Sequence, residues 1–141
     1  MIDPSDKLIE AWARLLSGNI SVPVYDEGVP DDVKGNYVLL RVESQVEQPL
    51  GSRYWSKPIV ITDVVTVFGT IADPKVARGI NSEIYNLVVE KFENNNLNGL
   101  PDIEIDNVYN AGSVIINERT SSKYYYRIVT RYRHDIIQLK N

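Results

Sequence analysis

The sequence predicts an α+β fold, an antiparallel or mixed β-sheet with two α-helices packed on one face, in the order α-β-β-β-α-β-β. Three observations predict it. Two segments carry an apolar stripe at helical spacing, and each opens with Asp-Pro. The segments between and after them are rich in Val, Ile, Thr and Tyr. Each helix has a single stripe, so one sheet face suffices to cover both and the other face is left free.

In chain order, residues 4–17 form the first helix. Leu8, Ile9, Trp12, Leu15 and Leu16 share one side, Asp3 caps, Pro4 occupies the first turn, and Gly18-Asn19 lets the chain leave. Val22 to Tyr25 is a short strand that Pro23 confines to an edge or an end. The acidic stretch from Asp26 to Asn36 reads as a loop. Tyr37 to Val46 is a strand with Val38, Leu40 and Val42 on one face and Leu39, Arg41 and Glu43 on the other. Residues 46–58 read as a long loop with Pro49, Gly51 and Ser52, closed by Pro58. Ile59 to Phe68 is the strongest strand signal. The second helix starts at Asp73-Pro74 and carries Val76, Ala77, Ile80, Ile84, Leu87 and Val88 to about Phe92. Asn94 to Gly99 has turn chemistry, Ile103 and Ile105 alternate with acids, Val114 to Ile116 is a short apolar run, and Thr120 to Ser122 is a turn. Tyr124 to Ile137 closes the chain as a long strand. Tyr124, Tyr126, Ile128, Thr130 and Tyr132 lie on one face, with Tyr125, Arg127, Val129, Arg131 and Arg133 on the other.

A chain of 141 residues fits a single domain, 1–141, with one sizeable core. Its hydrophobic content of 43% and charged content of 24% are ordinary for a globular protein. No apolar run is long enough for a membrane span and no secretory signal is visible, so no membrane partner is expected. The absence of cysteine removes disulfides, thiol nucleophiles and thiolate zinc sites, and suggests an intracellular or particle-bound protein. The net charge of −4 is unevenly spread. Residues 1–36 hold seven acids against three bases, and residues 119–141 hold six bases against one acid. Opposite ends of this kind attract between neighbouring copies, or else form an ordinary salt-bridged surface.

No catalytic, cofactor-binding or metal apparatus emerges. The single histidine, His134, sits between Arg133 and Asp135 near the end of the last strand, the setting of a surface residue rather than a base. The glycines form no phosphate loop. Asp102, Glu104 and Asp106 place three carboxylates on one strand face, but a hard cation needs further converging oxygens, and a solvent-facing edge explains them as well. The arginines and tyrosines of the last strand offer a base-stacking face, against which stand a pI near 5.0 and the lack of RNA-recognition signatures. Leu50, Arg53, Tyr54 and Trp55 bring hot-spot residue types into the 46–58 segment. With Arg127, Arg131 and Arg133 they are the interface candidates; the alternative is that Trp55 folds back over a sheet edge.

The order of elements resembles the tail terminator (tail completion) family of tailed bacteriophages and related neck-ring proteins. The likeness is carried by the first amphipathic helix running into "VPVYDEGVP", the strands "NYVLLRV" and "IVITDVVTVF", the helix "ADPKVARGINSEIYNLVV" and the basic strand "YYYRIVTRYRH". It covers nearly the whole chain, least clearly between Asn94 and Ser122. The resemblance implies a non-enzymatic virion protein of the tail or neck, assembled in the host cytoplasm. It would form a homo-oligomeric ring, commonly of six subunits, that ends the tail tube and meets head-completion and connector proteins. A neck adaptor ring is the close variant. DNA would pass through the lumen without specific binding, past acidic residues.

Overall fold

The computed structural model describes residues 5–26, 28–43, 46–50, 53–90 and 103–139, with the backbone alone at 46–50, 53–55, 89–90, 103–104, 106 and 138–139. The chain is an α+β protein, and among the described residues seven strands form one mixed sheet. Helix α1 spans Ser5–Leu16, and strands β1 (Val24–Asp26), β2 (Tyr37–Glu43), β3 (Val46–Leu50), β4 (Arg53–Ser56) and β5 (Ile59–Phe68) follow. Helix α2 covers Pro74–Tyr85 and runs into a π-helical turn, Asn86–Glu90; β6 (Ile103–Arg119) and β7 (Tyr124–Leu139) complete the order. Asp3, Pro4, Phe92 and the Asn94–Gly99 turn lie outside the described residues.

The helices form where the stripes predict, for local reasons. Asp73 has extended backbone angles and its side chain accepts from the Lys75 amide at 3.0 Å, which satisfies a free donor at the start of α2. At the end of α1 the chain turns out through Gly18, whose φ of 79° is left-handed, and Asn19 Nδ2 donates to the Leu15 carbonyl at 2.8 Å. The buried side chains Leu8, Ile9, Trp12 and Leu16 of α1 and Ala77, Ile80 and Ile84 of α2 join one apolar cluster with a single face of the sheet. That core face presents Val38, Leu40, Val60, Val64, Tyr126, Ile128, Tyr132 and Ile136.

Strand β7 organises the sheet. On one edge it pairs antiparallel with β6 along nearly its whole length, through a hairpin closed at residues 120–123. Its other edge takes β5 from Tyr124 to Arg133 and then β4 from Ile136 to Leu139. The register does not slip between them, since Ser56 faces Ile136 and Ile59 faces Arg133. The intervening Pro58 still accepts from the His134 amide at 3.0 Å, though it has no N–H to return. β2 pairs antiparallel with β5, and β1 lies parallel to β2 at the far edge.

Two expectations change here. Residues 46–58 are not a long loop: β3 and β4 pair antiparallel, and β4 extends the sheet along β7. The reason is the length of β7, which runs beyond the last partner of β5 and leaves backbone groups that β4 satisfies. Likewise the stretch from Ile103 to Arg119 is one strand of 17 residues, bent by register shifts rather than cut into pieces. At the second shift Gly112 takes a φ of 127°, which favours glycine, and its amide donates to Asn110 Oδ1 at 2.7 Å.

Candidate assembly surface

The sheet face opposite the helices is built from alternate residues of β2, β5 and β7. Ile59, Ile61 and Val65 of β5 are buried yet lie outside the main core cluster, alternating with Val60 and Val64 that belong to it. This face is therefore not bare along its middle strand. Long side chains of the flanking strands lean over β5, while Arg41 and Glu43 at the margin stay exposed.

At its centre sits Asp63, a buried acid on β5. Arg127 of β7 donates to both of its oxygens, from Nε at 3.2 Å and from Nη2 at 2.5 Å. The same guanidinium donates through Nη1 to Glu118 of β6 at 2.9 Å, so one arginine ties two strands to β7 across the face. Its hydrogen bond to Asp63 outweighs the cost of burial and raises the Arg127 pKa further, holding the charge. Arg41 approaches Asp63 at 4.0 Å, and Arg131 makes a two-pronged pair with Glu43, with bonds of 3.2 and 2.6 Å. Burial raises the pKa of Tyr37 at the rim, and the Asp63 charge adds to it.

Of the interface candidates, Arg127, Arg131 and Arg133 come together on this face of β7, as their alternation requires. Arg127 and Arg131 are engaged within the subunit; Arg133 has its Nε buried without a hydrogen-bond partner among the described residues. Leu50 lies in β3 and Arg53, Tyr54 and Trp55 in β4, on the part of the sheet that carries the C-terminal end of β7; their side chains are outside the described residues. Tyr126 and Tyr132 are buried on the helix side, and the arginines between them are committed to carboxylates.

His134 corrects another expectation. It is fully buried, not a surface residue, because its place in the alternation puts it on the core face under α1. The Trp12 indole donates to its Nε2 at 2.9 Å, and Nδ1 lies 3.2 Å from the Pro58 carbonyl. An indole only donates, so Nε2 must accept and Nδ1 carries the proton that reaches Pro58. Burial pushes its pKa down to about 4, which suits a neutral structural pin rather than a base at neutral pH. Sequence reasoning also passed over Asp63. The signal was present, since it is the lone charge in Ile59–Phe68 and a lone acid in such a run needs a partner.

Among the described residues there is no cluster of three or more potential metal-binding side chains; Asp102 and the side chains of Glu104 and Asp106 lie outside them. No described helix is long and apolar enough to cross a membrane. A shallow groove of about 470 Å³ lies between α2 and Ser21, Val22 and Asn36, with Lys75, Gly79 and Glu83 among its lining and Glu83 accepting from the Ser21 hydroxyl at 2.8 Å. No protein-family model matches the chain, and no curated protein matches its sequence. Among solved structures, the fold is similar to that of a chain in a structure described as the virion of a native gene transfer agent particle, with a TM-score of 0.54 and 15% identity over 88% of this chain and 84% of that one.

Proposed function

We propose that this chain is a structural, non-enzymatic virion protein that closes with copies of itself into a ring at the neck of a phage-like particle, ending the tail tube and joining it to the head connector. The observation that carries the reading is the shared fold with a gene transfer agent virion chain, which extends over most of both proteins. The architecture suits the role. The interface-candidate arginines share the sheet face opposite the described helices, and the outer strands β1, β3 and β6 each have an unpaired side among the described residues. Ring closure is the outcome expected when one surface of a subunit meets a different surface of the next at a closing rotation. DNA traverses the lumen without being read, and the overall charge of −4 agrees with a channel that does not hold the strand.

Mixing the purified chain with tail tubes and imaging by negative stain tests this directly. Rings on one end of the tubes are expected. Binding to isolated connectors but never to tubes would move the protein to the neck adaptor position. Binding to single-stranded DNA that collapses with added salt, with no assembly on either structure, would replace the reading with a nucleic-acid module.

A further inference from the structure

The ring reading leaves open which surfaces meet, and two of the three outer strands of the sheet, β6 and β1, bear on it; β3 is the third. Among the described residues β6 hydrogen-bonds to β7 alone and presents its other side unpaired. Natural edge strands are usually blunted by charge, proline or shortness. This one spans 17 residues, and from Asn107 to Asn117 it has neither a charged residue nor a proline. Val114 and Ile115 are 62% and 58% exposed there, one on each face of the strand. Such an edge is a template for another strand.

On the opposite side the outer strands are β3 and β1, and β1, three residues long, is the one level with the middle of β6. Tracing the pairings across the sheet puts Tyr25 on the row of Leu39, Asp63, Val129 and Val114. Val24 falls one row away, level with Ile115 through Val38, Val64 and Ile128. The free edges therefore stand at the same height on opposite sides of the subunit, with matching faces: Val24 on the core side with Ile115, and Tyr25 on the other with Val114. Charge points the same way. The end of the sheet where β2 and β7 begin carries Arg119 and Lys123 on the β6 side, while the segment leading into β2 carries the exposed Asp31 and Asp32 against one base, Lys34. None of Arg119, Lys123, Asp31 and Asp32 has an ion-pair partner among the described residues; Arg119 lies over the Tyr124 ring instead, at 5.0 Å.

We infer that the outer edge of β6 in one copy pairs with the β1 edge of a second copy, continuing the sheet head to tail and bringing Arg119 and Lys123 to Asp31 and Asp32 of the neighbour. The inference rests on the ring reading and assigns its contact. Two different surfaces meet, so the contact repeats around a ring rather than stopping at a dimer.

Sedimentation velocity and tube-capping assays on charge variants provide the test, with far-UV circular dichroism reporting the fold. Because the altered side chains are exposed, Val114→Lys/Ile115→Lys should remain folded and weaken self-association by about tenfold or more. Arg119→Glu/Lys123→Glu should weaken it as well, and adding Asp31→Lys/Asp32→Lys to the same chain should restore it, since both partners are then reversed. A Val114→Lys/Ile115→Lys chain that forms rings as readily as the parent overturns the assigned contact and leaves the ring reading intact. Loss of assembly without rescue in the charge swap overturns the β1 pairing and points to β6 meeting itself or another protein. A parent chain that never oligomerises, alone or on tubes, removes the ring reading and this inference together.

Discussion

At the scale of single residues, two buried polar groups set most of the chemistry. His134 is neutral in the folded chain, with both nitrogens engaged, by Trp12 and by Pro58. A second proton on Nε2 would point at the indole N–H and break that bond. The folded pKa of about 4 lies below the ordinary value of 6.5, so between these values the unfolded chain binds more protons than the folded one. Stability from this group is complete above pH 6.5 and drains away as the pH falls through about 4, with a total of about 3 kcal/mol. Urea unfolding at pH 7.5, 6 and 5 should show a loss of about 2 kcal/mol by pH 5. His134→Asn should flatten the profile, and an unchanged profile would mean that the imidazole titrates normally. Arg127 and Arg131 make a paired comparison on the other face. The first closes on a buried carboxylate, so Arg127→Leu strands Asp63 and should cost about 3–5 kcal/mol. Both members of the second pair are close to half exposed, so Arg131→Leu should cost no more than about 1 kcal/mol. Equal costs in denaturant melts would contradict this ordering.

At the scale of elements, each helix is specified locally and held by the sheet. α2 starts where Asp73 supplies its carboxylate to the Lys75 amide, and no acid in its first turn duplicates that role. Asp73→Ala should lower stability by about 1 kcal/mol in chemical denaturation without changing the denaturant dependence, as expected for a lost cap rather than a lost core contact. α1 depends more on what lies beneath it. Trp12 packs on the Tyr132 ring at 5.1 Å and edge-on to His134 at 5.7 Å, so one side chain fixes the helix to β7. Among the strands, β5 and β7 carry much of the core, whereas β6 has a paired inner edge and, among the described residues, an open outer one. That asymmetry is why the substitutions at Val114 and Ile115 should spare the fold and affect association.

At the scale of the whole molecule, the sheet has one face sealed by two helices and another laced by arginine–carboxylate pairs. Arg127 and Arg131 of the second face are paired within the subunit, and among the described residues the outer strands are the parts of the sheet with unpaired edges. The tube-capping and charge-swap experiments address this level, because only an assembly measurement distinguishes a ring subunit from a monomer that merely shares the fold. Much of this was legible beforehand. The stripes of Leu8, Ile9, Trp12 and Leu16 and of Ala77, Ile80 and Ile84 are buried on one side of the sheet, and the alternation in β2 and β7 divides their faces as read. The interface candidates were legible only as residue types. Arg127 and Arg131 prove to be held inside the subunit, and residues 53–55 proved to be strand.

By itself the sequence determined where the helices run and which residues of each strand share a face. Caps and stripes act within a few residues of one another, and strand alternation follows from backbone geometry. Only the tertiary structure decided that β4 and β5 line up along one strand, that β6 is a single long edge, and that His134 meets a tryptophan 122 positions away. A strand's partner, and the burial it brings, are fixed by backbone groups far along the chain, and no local pattern records where those groups will lie.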